Sequence, residues 1–346
     1  MAGIPNSPQV ERLRWVDVCK GICIVLVVYG HISGGVGAAG KLPPDSIWIQ
    51  IREWVYLFHM PAFFALSGLF APRSSLSAGD FFWGRLRTIV YPYVVWTAIF
   101  VVVQLLMVRY VNNPLDRSQA LRFLLAPIGY GLWFLYSLLI ISVLFYGLGR
   151  LRIPAAGTLV LAIVLSWLAS RNTFGFWPIL NTSMGVFVYY AAAASLRGKI
   201  LPLMNQTGWL WSLVLGLGGW LVLTALHSII REGGWFPSFA LACLGTCSVA
   251  FLAKAISESR LWQFWAWLGF YSLEIYLGHP LWGTLSRVVL HLLRAETPAT
   301  LVIGGLFLGL AGSLAVGFLC RKWSFPYLFR WPAKKGNVPG PGTATA

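Results

Sequence analysis

Residues 15–35 read WVDVCKGICIVLVVYGHISGG, an almost unbroken apolar run whose charged or imidazole-bearing members are Asp17, Lys20 and His31 alone. A helix rises about 1.5 Å per residue, so a segment of this length crosses a hydrocarbon core of roughly 30 Å. In lipid a single segment satisfies its backbone polar groups only as a helix. The stretch Val18–Gly35 is therefore read as a membrane span. Nine further segments of similar character follow at Trp54–Phe70, Thr88–Val108, Gly129–Leu148, Ala155–Ser170, Trp177–Leu196, Trp209–Ile230, Trp235–Ala253, Phe264–Leu290 and Thr300–Cys320. The expected fold is all-α: a polytopic transmembrane helical bundle of about ten spans. Residues 1–330 form one integral-membrane domain, with no cleavable leader expected, and 331–346 a disordered cytoplasmic tail rich in Gly, Pro, Thr and Ala.

Composition agrees. Of 346 residues, 58% are hydrophobic and 10% charged, which argues against a string of soluble domains. The net charge of +16 would by itself suit nucleic acid, but the cations sit in short clusters between apolar runs. Placing the N-terminus inside puts seventeen basic residues on the inner side and eight outside, with Arg287 left within the ninth span. That asymmetry puts both termini in the cytoplasm, in an inner or plasma membrane. Many of the 18 Trp fall at span ends, as interfacial belts require. Cys19, Cys23, Cys243, Cys247 and Cys320 all lie in or beside apolar spans, where Cys serves as a small apolar residue; no metal is expected.

Polar groups at membrane depth are costly, about 2.5 to 3.5 kcal/mol for a charge at the bilayer centre even on a lenient scale. In the first span, eleven steps of about 100° leave Lys20 and His31 only about 20° apart around the helix and about 16 Å apart along it. Asp17 lies one turn from Lys20 and can pair with it. This stripe reads equally as a site or as snorkelling end charges with a hydrogen-bonded His. In the second span, FHMPAFFALSG (58–68), Pro61 either opens the helix or leaves the Leu57 carbonyl free. His59 beside it stands at a depth similar to His31, which suggests a site; a kink with a structurally bonded His is the alternative. Arg85 and Arg87 at the inner interface are topology charges or phosphate ligands.

Six segments in order, RLRWVDVCKGI, VVYGH, FHMPAFFALSG, RLRTIVYPY, GLWFL and YSLEIYLGHP, resemble the acyltransferase family 3 membrane proteins, particularly their fucose O-acetylase-like branch. The likeness spans essentially the whole chain. It implies transfer of an acyl group, usually acetyl from cytosolic acetyl-CoA, to a hydroxyl of a cell-surface or exported carbohydrate, so membrane lipid and carbohydrate are the expected partners and nucleic acid is not. The family's basic residue, ten residues, then His matches Lys20 and His31, with His31 catalytic. Its paired basic pattern is partly kept: Arg85 matches and Arg87 is basic, but Thr88 stands where a second Arg is common. Many relatives carry an added extracytoplasmic esterase-like domain, which this tail cannot supply; a separate transferase partner is one alternative.

Joined to the residues, the resemblance gives a mechanism. Asp17, Lys20, Arg85 and Arg87 form the donor-phosphate end. His31 is the general base, since imidazole titrates near neutrality. His59, or an amide beside Pro61, serves the oxyanion; acetyl carried briefly on a His is the variant. Glu274, about ten residues into the ninth segment, is expected near mid-membrane, and His279 before Pro280 at a second helix break. Glu274 and His279 either line the donor tunnel or make structural hydrogen bonds, with Trp133 packed against that lining. The rival reading is a secondary transporter or flippase for a carbohydrate or lipid-linked intermediate. An inverted repeat would favour it, but the Lys20 and His31 pattern has no counterpart in residues 151–290.

Overall fold

The computed structural model describes residues 13–72, 74–106, 132–230 and 234–331. The tail after 331, the first residues of the fourth expected span, and Arg12, Arg73, Arg109, Arg117, Arg122 and Arg231 of the charge count lie outside them. The described chain is all-helical, without strands. In order the helices are α1 (Arg14–Ala38), α2 (Ile47–Tyr56), α3 (His59–Leu69), α4 (Ala78–Arg85), a π-turn (Leu86–Val90), α5 (Tyr91–Leu106), α6 (Trp133–Arg150), α7 (Ala155–Ser170), α8 (Pro178–Gln206), α9 (Trp209–Ile229), α10 (Trp235–Ser257), α11 (Trp262–Phe270), α12 (Ser272–Leu292), a second π-turn (Thr300–Gly304) and α13 (Gly305–Lys322).

All ten expected segments are helical in their described parts, but among the described residues seven helices are long and apolar enough to cross a membrane: Arg14–Ala38, Ala78–Leu106, Trp133–Arg150, Pro178–Gln206, Trp209–Ile229, Trp235–Ser257 and Thr300–Lys322. The others depart for local reasons. Ala155–Ser170 is apolar but has only 16 residues. Trp54–Phe70 is divided between α2 and α3, because Pro61 occupies the third position of α3. A first-turn amide has no intrahelical partner to lose, so the proline opens a new helix instead of kinking an old one. Phe264–Leu290 is divided at Tyr271 into α11 and α12, and α12 continues through Pro280. The second break therefore falls nine residues before the expected proline. Continuity at Pro280 is aided by His279, whose Nδ1 lies 3.1 Å from the Ile275 carbonyl oxygen and whose ring also reaches that of Tyr276, the carbonyl Pro280 leaves without an amide.

The bundle is arranged around α1. Its most apolar window is 61% buried, against 17% for α9, so α1 is the core helix and α9 presents most of its surface to lipid. An all-round apolar helix needs such enclosure. Neighbours approach α1 through glycines: Gly21 faces the Trp265 carbonyl and Gly269 the Asp17 carbonyl, so backbones of α1 and α11 meet with no side chain between them. Further along, Gly283 of α12 receives Ile32 and Gly245 of α10 receives Phe58.

Charged contacts mark the two ends. At one, Asp17 and Lys20 on α1 stand 3.9 Å apart, Arg14 covers Trp262, and Glu274 in the first turn of α12 pairs with Arg321 in the last turn of α13. Glu274 is thus held at a helix end, because the break at Tyr271 restarts the helix just before it. At the other end, Glu296 accepts from Lys41 at 3.0 Å and meets His291 Nδ1 at 2.6 Å. The His291 hydrogen bond first, and Lys41 after it, hold the exposed Glu296 carboxyl below the usual carboxylate range.

Candidate active site

The C-terminal half of α1 carries a cluster of polar side chains. His31 is half-buried, and its ring centroid lies 4.9 Å from that of His279 on α12, the planes tilted by 58°. His279 is wholly buried. With Nδ1 donating to the Ile275 carbonyl, its neutral ring keeps a lone pair on Nε2, an atom that is buried and has no hydrogen-bond partner among the described residues. His59 is likewise locked: its Nδ1 lies 2.8 Å from the Val55 carbonyl across the α2–α3 break. The break is what lets a residue of α3 reach back to α2. The His59 ring packs 4.9 Å from Tyr56, whose own ring covers Gly30, the residue before His31, and His59 and His31 are close enough to interact electrostatically. The three imidazoles share a locality, but among the described residues no group of three or more His, Cys, Asp or Glu could hold a metal ion.

Two arginines complete this cluster. Arg52 of α2 lies over the Tyr56 ring at 4.7 Å and within electrostatic reach of His31. Its Nε is 3.0 Å from where a side chain on Gly34 would begin, and Arg287 of α12 fills the same place at Gly35. Read from sequence, Arg52 is an outside topology charge and Arg287 a leftover. The signal was in GHISGG (30–35): adjacent glycines a turn beyond a membrane histidine leave room for large side chains from neighbours.

At the opposite end of α1 the expected donor cations are only partly gathered. Lys20 lies over Phe70, the residue capping α3, at 5.6 Å. Arg85 packs against Phe81 at 5.6 Å and interacts with Tyr190, whose backbone touches Gly68 in the last turn of α3, so Lys20 and Arg85 flank one helix end. Arg87, two residues on, faces away: it is exposed and lies on Trp83 at 4.7 Å. Beside Gly68 opens a cleft of about 370 Å³ lined by Ala71, Ser74, Tyr146, Gly149 and Arg197. Arg197 had no role in the sequence reading beyond topology.

The proposed lining residues separate. Glu274 is occupied by Arg321, whose guanidinium also covers Phe270 at 4.3 Å and Tyr271 at 4.5 Å. Trp133 packs on Phe64 at 6.0 Å, while its neighbour Phe134 meets Tyr276, itself 6.1 Å from His279.

The central helix thus carries a cation at one end and neighbouring imidazoles toward the other. The chain matches the acyltransferase domain family over residues 13–320 and belongs to it. It is thus a membrane acyltransferase. No curated protein and no solved structure shows significant similarity to it.

Proposed function

We propose that this acyltransferase moves acetyl from cytosolic acetyl-CoA to a hydroxyl of a cell-surface or exported carbohydrate, as in the fucose O-acetylase-like branch its motifs resemble. The observation that carries the reading is the pairing of His31 with His279 on the helix that also bears Lys20. Coenzyme A has phosphates at one end and its thioester at the end of a long arm, and the eleven-residue separation of Lys20 and His31, about 16 Å, suits that extended shape. Lys20, oriented by Asp17, and Arg85 hold the phosphates, with Arg87 contributing long-range charge and the Arg197 cleft as the mouth.

In the transfer step the acceptor hydroxyl gives its proton to His31 as its oxygen attacks the thioester carbonyl. The carbon–sulfur bond then breaks, and the leaving thiolate takes the proton back from His31. His279, a fixed acceptor, takes a hydrogen bond from the imidazolium N–H and so stabilises the charged intermediate. His59 with its Nδ1–H committed to Val55 offers only an acceptor when neutral, so the developing oxyanion is better served by first-turn amides of α3.

Replacing Lys20 or Arg85 with Gln is expected to raise the KM for acetyl-CoA about tenfold or more, each loss removing a charge-assisted contact. Arg87→Gln should have a smaller effect because its guanidinium lies on the surface. Steady-state kinetics on purified variants checks this ranking, and unchanged KM in both Lys20→Gln and Arg85→Gln removes the donor assignment. Both termini are proposed to be cytoplasmic, from the basic asymmetry. Fusions of a reporter active only outside the membrane should be silent at both ends, and activity at either end reverses the orientation.

A further inference from the structure

We infer that Arg52 and Arg287 form a binding site for an oxyanion carried by the acceptor, so that the acceptor is an acidic carbohydrate bearing a phosphate or carboxylate beside the hydroxyl that reacts. The assignment of that hydroxyl to His31 rests on the function proposed above; the anion site itself does not.

Both guanidiniums come to the same turn of α1, one onto Gly34 from α2 and the other onto Gly35 from α12, directly beyond His31. Neither meets a carboxylate among the described residues. Arg287 has Thr284 Oγ1 at 3.5 Å, and Arg52 has the Tyr56 face, with its Nε buried and unpartnered. The acidic residue nearest this end in a bonded network, Glu296, is taken by Lys41 and His291, and Asp45 and Glu53 are exposed. Two partly buried guanidiniums without a counter-ion are costly and persist where a ligand supplies the charge. Guanidinium forks match phosphate and carboxylate geometry. The donor's phosphates are not that ligand, because Gly34 lies fourteen residues beyond Lys20, about 21 Å along the helix, on the far side of His31. An anion held here places an adjoining hydroxyl against the base.

The test measures binding without turnover. The full chain in phosphatidylcholine nanodiscs is titrated with inorganic pyrophosphate, with D-glucuronate, and with D-glucose as the neutral comparison. At least one of the two anions should bind saturably, glucose should not, and Arg52→Gln and Arg287→Gln should each weaken the anion about tenfold or more, while Lys20→Gln leaves this component in place. Binding of pyrophosphate alone that the Arg52→Gln and Arg287→Gln variants weaken identifies a phosphorylated acceptor, and glucuronate binding alone with the same dependence a uronic acid. The unmutated protein gives a second readout: the bound anion should protect Arg52 and Arg287 from phenylglyoxal, scored by peptide mass spectrometry. Absence of protection at both residues, or affinity unchanged in both Gln variants, overturns the site. Protection produced only by adding phosphatidylglycerol to the nanodiscs assigns it to lipid and overturns the acceptor assignment. Because no acetyl transfer is read, a loss of activity in His31 variants neither imitates nor hides these outcomes.

Discussion

His31→Ala is expected to lower acetyl transfer between about a hundredfold and ten-thousandfold, the range general base catalysis supplies. The substitution removes a polar group from a helix that is otherwise amply apolar, so insertion and folding should persist, and the loss should fall on kcat with KM for the donor nearly kept. His279→Ala is expected to cost less, since it removes the acceptor that steadies the His31 imidazolium while leaving the base. His59→Ala should cost least chemically; it removes one of two donors to the Val55 carbonyl, which still accepts from the Phe58 amide at 3.3 Å, and should lower thermal stability by roughly the 0.5 to 1.5 kcal/mol of one hydrogen bond. The measurement is turnover per folded molecule, with monodispersity checked for each variant. Retention of more than about a tenth of wild-type turnover by His31→Ala is too small a loss for a general base and removes that assignment.

The second large effect is on folding. Gly269→Ala should strip the chain of its packed native state, because a methyl group there overlaps the Asp17 carbonyl, and the reciprocal contact of Gly21 with the Trp265 carbonyl leaves α11 no direction in which to shift without losing α1. Overpacking costs about 1 to 3 kcal/mol where side chains can yield; here the obstacle is backbone, so the cost lies at or above the top of that range. Gly218→Ala on α9 meets nothing within 4 Å and should be neutral or slightly stabilising, since Ala favours helix over Gly by about 1 kcal/mol. Thermal unfolding in detergent of the two variants beside wild type makes the comparison. Equal melting of Gly269→Ala and wild type would mean that α1 and α11 are not in backbone contact.

The helical fold was legible because lipid admits few backbone solutions, and a run such as residues 15–35 leaves only one. The stripe joining Asp17, Lys20 and His31 was legible for the same reason: helical periodicity within one segment needs no knowledge of neighbours. What periodicity does not give is azimuth between helices. Depth alone paired His31 with His59, and the structure brings the two within electrostatic reach, but it also sets His279 against the His31 ring, brought there because α12 restarts at Tyr271 and lies along α1 through Gly283. The same restart carries Glu274 to a helix end and to Arg321. Arg52 was hidden because a count of charges by side treats it as solvated, and Arg287 because it was left within the ninth span without a partner element; only the packing onto Gly34 and Gly35 brings the two together. The paired reading of Arg85 and Arg87 ran against the elementary rule that residues two apart on a helix do not face the same way.

The most direct test of acetyl transfer to carbohydrate is mass spectrometry of surface and exported glycans from a deletion strain complemented with the wild-type chain, with His31→Ala at matched membrane expression, or with empty vector. The expected result is an acetyl ester on a glycan hydroxyl, removed by mild base, present with the wild-type chain and absent from the other two. Glycans with the same acetylation in all three, or a glycan that fails to reach the surface while its acetylation is unchanged, would contradict the transfer and point instead to transport.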